Sequence, residues 1–267
     1  MRANIKLIKA EIKKQHQNWF HSIFIYFTLL LWPILIFVNA YLVYKPFYTE
    51  NSYINYFGSK ESLILFLITG FLGYNCFWAM VQSAWQMGFE RQSGTLETIF
   101  LTPANKLTIL YGRAFGAILE NIWMFSLFSL LVIFVTQEIS FELVLLLVFL
   151  FVVLILSASV WGAFMNVLFL FSRDATFLFS LLDEPMVFFS GVRIPVSFLP
   201  IWCKAISVIF PLTHTLVIIR DSFIDKRVAI ESIKNLSISL IGIAFLTWIL
   251  LRIAEKNVRK TGSLSFY

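Results

Sequence analysis

Charge is what this chain has least of. Asp, Glu, Lys and Arg make up 13% of its 267 residues, where an ordinary soluble domain carries roughly 25%. With 59% hydrophobic residues and a mean hydropathy of +0.83, the apolar surface exceeds what a water-soluble fold can hide. Cysteine is almost absent. Cys76 and Cys203 fall in separate segments, without metal-ligand spacing and with nothing that points to a disulfide. None of the 11 glycines is followed by lysine, so the Walker A loop that cradles nucleotide phosphates is missing. The three histidines, His16, His21 and His214, form no H-E-x-x-H helix, and no serine sits in G-x-S-x-G. Neither a catalytic site, a cofactor nor a metal is expected. The net charge of +6 lies mostly at the ends of apolar runs, which suits orientation in a membrane rather than nucleic-acid binding.

What is present in quantity is apolar sequence. A spanning helix needs roughly 20 mostly apolar residues, and six stretches reach that mark: 22–44, 62–85, 110–136, 140–171, 175–193 and 235–253. The expected fold is one all-α integral membrane domain over 1–267 with six transmembrane helices. The first run follows basic residues, and Val38-Asn39-Ala40 would pass as a cleavage site. Its length exceeds the roughly 7–15-residue core of a signal peptide, so a retained helix is expected. Between the last two runs, 194–234 is apolar but interrupted by Pro195, Pro200 and Pro211 and charged by Arg193, Lys204 and Arg220 nearby. Proline removes a backbone donor and disfavours a continuing helix. This pattern predicts re-entrant helices on the outer side before the last span, buried in protein or lining a cavity.

Residues 1–20 read as an amphipathic helix at the membrane surface, with Ile5, Ile8, Ile12 and Trp19 on one face and Lys6, Lys9, Lys13 and Lys14 on another. With both termini cytoplasmic, the inside segments 1–21, 86–113, 172–174 and 252–267 carry 13 Lys and Arg, and the short outside loops 45–61 and 137–139 carry two. The long outer region 193–234 carries six and is the weak point of that orientation. Gly112 and Gly116 form one G-x-x-x-G that suits a close helix contact.

The loop after the second run reads Phe89-Glu90-Arg91-Gln92-Ser93-Gly94-Thr95-Leu96-Glu97-Thr98-Ile99-Phe100-Leu101-Thr102-Pro103. Gly94 permits a sharp turn, Thr95 is a candidate N-cap, and Glu97 then sits in the first turn where the helix dipole favours an acid. Thr102-Pro103 reads as the cap and first residue of the next helix. The product is a short cytoplasmic helix held between two spans.

The stretch Glu90–Pro103, followed by Tyr111-Gly112-Arg113, resembles the loop of ABC-2 type transporter permeases. The resemblance extends over most of the chain, including Ser190-Gly191 to Pro195, Leu199-Pro200 and Pro211-Leu212-Thr213. It implies that 90–103 is a coupling helix docking on a separate ATP-binding subunit, in two copies, and that two permease chains form the pathway in the cell membrane. The coupling role carries over to Glu90, Gly94, Thr95, Leu96, Glu97 and Pro103.

Two polar groups inside the apolar runs need an explanation. Asn75, Gln82 and Gln86 fall within about 40° on a helical wheel, which serves either helix packing or a pathway. Asp183-Glu184-Pro185 lies within the fifth run, where acids are costly and mark a cavity, a partner or a protonated pair. The leading function is the permease subunit of an ATP-driven exporter for an amphipathic, drug-, peptide-, lipid- or glycan-like substrate. The alternatives are an ion-gradient transporter, which paired broken helices would favour, or a membrane enzyme using Asp183 and Glu184.

Overall fold

The computed structural model describes residues 2–19, 22–44, 60–136, 140–171, 175–224 and 230–261. The loops 45–59, 137–139, 172–174 and 225–229, with Lys45, Arg173, Lys226 and Arg227, lie outside the described residues. The described residues are helical with short connections. The helices are α1 (Arg2–Trp19), α2 (Ile23–Tyr44), α3 (Lys60–Gln92), α4 (Thr95–Leu101), α5 (Lys106–Ala114), α6 (Ile118–Thr136), α7 (Phe141–Phe171), α8 (Ala175–Phe189), α9 (Ile201–Ser207), α10 (Pro211–Ile224) and α11 (Ile230–Thr261).

The expected six spans are corrected to fewer. Among the described residues three helical stretches are long and apolar enough to cross a bilayer: Ser62–Glu90, Phe141–Phe171 and Ile230–Asn257. A fourth arises if α9 and α10, bent by 94° at their junction, count as one broken span. The reasons are local. The run 110–136 is divided by a 3₁₀ turn at Phe115–Ala117 into α5 and α6. The run 175–193 forms only the 15-residue α8, with Pro185 inside it. At 1.5 Å per residue that is about 22 Å, short of a hydrocarbon core of about 30 Å. Among the described residues of α2 the apolar helical stretch is Ile23–Trp32, too short to span.

Helices α3 and α7 form the most extensive pair and the centre of the fold. The most apolar stretch of α3 is 72% buried, against 22% for that of α11, so α11 lies at the periphery. Trp161, Leu67, Phe77, Met80, Leu150 and Leu154 fill the centre. Several polar side chains inside the helices return to their own backbone, which satisfies them in a medium without water. Thr69 donates to the Leu65 carbonyl (2.8 Å), Ser157 to Val153 (2.7 Å), Asn166 to Gly162 (2.9 Å) and Thr247 to Ile243 (2.7 Å).

The bend between α9 and α10 is closed by Thr213, which donates to the Ser207 carbonyl at 2.7 Å, and by His214 against the Val208 carbonyl at 3.0 Å. Arg220 of α10 fixes the pair to the rest of the bundle. Its guanidinium donates to the carbonyls of Gly191 (2.9 Å) and Phe66 (3.1 Å) and to the Thr69 hydroxyl (3.3 Å), and lies 3.7 Å over the Phe66 ring. Each charge-assisted bond contributes about 1.5–3 kcal/mol. Arg220→Ala is therefore expected to lower the thermal midpoint in mild detergent by at least several degrees. An unchanged midpoint would mean that the bent pair is held by its apolar contacts alone.

Candidate functional site

The cytoplasmic loop is built on two turns. Gly94 adopts φ 70°, which L side chains rarely adopt, and this residue, not Thr95, is the N-cap of α4. The Thr95 hydroxyl donates back to the Glu90 carbonyl (3.2 Å) and shares a hydrogen bond with Ser93 (3.0 Å), closing the turn from below. Glu97 falls within α4, and its side chain lies outside the described residues. At the far end Thr102 is not the cap of the next helix. Its hydroxyl donates to the Ile99 carbonyl at 2.7 Å, and Asn105 caps α5 through the amides of Leu107 and Thr108. Pro103 is exposed in the link and is not the first residue of α5. The Lys106 ammonium donates to the carbonyls of Ile99 and Thr102, finishing the last turn of α4. Desolvation lowers the pKa of Lys106, and the charge of Glu255 opposes that shift.

Helix α4 has an inner and an outer side. Leu96, 2% exposed, is set among Met87, Leu110, Val167, Leu170, Leu251 and Ala254, which belong to α3, α5, α7 and α11. Leu101 is 85% exposed, and Thr98 and Pro103 are exposed with it.

Glu90 is not on the outer side. Its carboxylate lies 2.5 Å from Arg113 and accepts from Lys14 at 2.5 Å. Arg113 is fully buried and also lies 3.8 Å from Glu11, which in turn is 3.5 Å from Lys14. A buried guanidinium is tolerable only with such partners. The cluster joins α1, the end of α3 and α5 immediately around the loop. Helix α1 reaches it because Gly112 and Gly116 present no side chains. A Cβ at Gly112 would stand 3.2 Å from Glu11 Cβ, and one at Gly116 would stand 2.6 Å from Gln15 Cγ. Arg113, Glu11 and Lys14 are not among the site residues that the sequence suggests. The available signal was that Glu11 is the one acid in the lysine-rich α1.

The second candidate region is a cleft of about 540 Å³ between α2, α3 and α8, lined by Tyr74, Asn75, Trp78, Gln82, Glu184 and Arg193 among others. The acids of α8 part company here. Glu184 lines the cleft, whereas Asp183 is fully buried and accepts from the Tyr74 hydroxyl at 3.1 Å. The polar stripe of α3 is divided too. Asn75 and Gln82 line the cleft, and Asn75 also donates to the Phe71 carbonyl at 2.7 Å. Gln86 lines a separate recess of about 370 Å³ with Lys14, Asn18, Glu90 and Ser93. Cys76 and Cys203 are free, buried thiols. Among the described residues no three His, Cys, Asp or Glu side chains group as metal ligands.

The model of the ABC-2 type transporter family matches residues 5–224, most of the chain, including the cytoplasmic loop itself and every residue lining the cleft. The chain belongs to the ABC-2 type transporter family. It is a polytopic, all-α membrane protein of that permease family. It is also similar to a protein described as a transport permease, ycf38, from Cyanophora paradoxa, with 27% identity over 193 residues. That match covers 72% of this chain and 63% of the relative. ABC-2 membership accounts for the resemblance carried by Glu90–Pro103, and the chain shows no catalytic motif of its own.

Proposed function

We propose that this chain is the membrane-spanning subunit of an ATP-driven exporter, paired with a second copy of itself and with two copies of a separate ATP-binding subunit. The observation that carries the reading is the two-sidedness of α4. Its exposed side, with Thr98, Leu101 and Pro103, is free to receive a partner, while Leu96 on the other side is held by α3, α5, α7 and α11. A push on α4 is thereby delivered to the central and peripheral helices together, because a packed cluster transmits displacement rather than absorbing it.

In this reading the six loop positions divide their work. Gly94, Thr95 and Glu90 set the height and angle of α4, Leu96 transmits, Pro103 belongs to the docking side, and Glu97 is assigned to docking from the family resemblance alone. Both termini are cytoplasmic, in a cell membrane, and an amphipathic substrate leaves the cytoplasm along a route that includes Asn75, Gln82 and Glu184. Asp183 and Gln86 support it from outside the cleft.

The test is purification of the tagged chain in mild detergent, native and as Glu97→Lys. A co-purifying ATPase in the native preparation, reduced at least tenfold in the variant, is expected. An intact, folded chain that brings no ATPase in either form would overturn the reading.

A further inference from the structure

The cleft described above continues into a second cavity. An apolar groove of about 310 Å³ runs between α2, α3 and α6, lined by nine apolar side chains and Asn75. Leu29, Asn75 and Met124 line both cavities, so one continuous depression has two chemically different halves. Each volume lies within the roughly 300–1,000 Å³ typical of small-molecule sites. Asn75, only 7% exposed, stands where the two meet. It is 15 residues before Glu90 on the same helix, which places it about 22 Å from the cytoplasmic cluster.

The polar half holds one acid and one base, Glu184 and Arg193, with the hydroxyl, amide and ring groups of Tyr74, Gln82 and Trp78. The Tyr74 and Trp78 rings are adjacent, with centroids 6.4 Å apart. A carboxylate beside aromatic faces attracts an ammonium group. Arg193 in the same cleft repels a bare cation and attracts an anionic oxygen. Among the described residues the apolar half offers no polar partner beyond Asn75, and it suits a hydrocarbon tail.

We infer that the joined cavities take a zwitterionic amphiphile, its two-signed head between Glu184 and Arg193 and its tail in the groove between α2, α3 and α6. As the transported substrate class this rests on the exporter reading, but binding itself does not require an ATPase.

The experiment uses the full chain in phosphatidylglycerol nanodiscs, so that the bilayer supplies no competing zwitterion. The probe is a dansylaminoundecyl chain ending in phosphocholine, compared with the same chain ending in carboxylate or in trimethylammonium. The phosphocholine probe is expected to bind at least tenfold more tightly than either. Glu184→Gln and Arg193→Gln should each remove that preference, and Glu184→Asp, which keeps the charge, should retain part of it. Leu30→Trp, at the tail groove, should weaken all three probes together by at least fivefold.

Equal binding of the three probes by the native chain would overturn the inference, as would a preference that survives Glu184→Gln. Head selectivity with no effect of Leu30→Trp would overturn the tail assignment and with it the amphiphile. Failure to co-purify an ATPase would sink the exporter reading and leave these binding results standing.

Discussion

Arg113→Ala is expected to be among the most damaging single substitutions in the chain. The guanidinium is fully buried between Glu90 and Glu11. Its removal leaves two carboxylates close together with, among the described residues, Lys14 as their remaining cation. Breaking a buried pair by deleting one partner costs about 3–5 kcal/mol. The thermal midpoint in detergent should fall by something on the order of 10 °C. Proteolysis within 1–20 should accelerate as α1 detaches. Arg113→Lys keeps the charge but loses the planar fork and should lose less. If Arg113→Ala unfolds at the native temperature, the cluster does not hold α1 and the loop together.

The second large effect separates transmission from docking. Leu96→Ala should leave the exposed side of α4 unchanged and empty the pocket formed by Met87, Leu110, Val167, Leu170, Leu251 and Ala254. A buried leucine truncated to alanine costs about 2–5 kcal/mol. Here that loss falls on the contact between α4 and the bundle. The expected result is an ATPase that still co-purifies but whose hydrolysis no longer drives transport, with coupled export reduced tenfold or more. Leu96→Met, which conserves volume, should retain most of it. Loss of the ATPase itself in Leu96→Ala, with Leu96→Met normal, would show that α4 is positioned rather than connected by this leucine.

The sequence made some of these features legible and concealed others for physical reasons. The runs at 62–85, 140–171 and 235–253 are found as spanning helices because uninterrupted apolar length is a local property. The count of six was too high because hydropathy does not register a 3₁₀ break at Phe115–Ala117 or the shortness of α8. The loop was legible from Gly94 and the exposed turn around Pro103. Its caps were misread because a positive φ at Gly94 starts the helix one residue early. Thr102 turns its hydroxyl back to Ile99 instead of forward. The stripe Asn75–Gln82–Gln86 followed from helical periodicity. Gln86 departs because one further turn along the axis leads to a different recess. The ion cluster stayed hidden because its three parts, Glu11 with Lys14, Glu90 and Arg113, are far apart in the chain, and only folding brings them together.

On the exporter reading, a separate ATP-binding subunit sits on the exposed side of α4. Leu101 is 85% exposed, and both native cysteines are buried. A Leu101→Cys chain therefore presents one reactive thiol at the proposed contact. Membranes carrying it would be treated with a short bifunctional reagent, and the cross-linked product identified by mass spectrometry. A link to a protein containing a nucleotide-binding P-loop is expected, at a yield that changes when ATP is added. A folded Leu101→Cys chain that links to no such protein, with or without ATP, would contradict that reading.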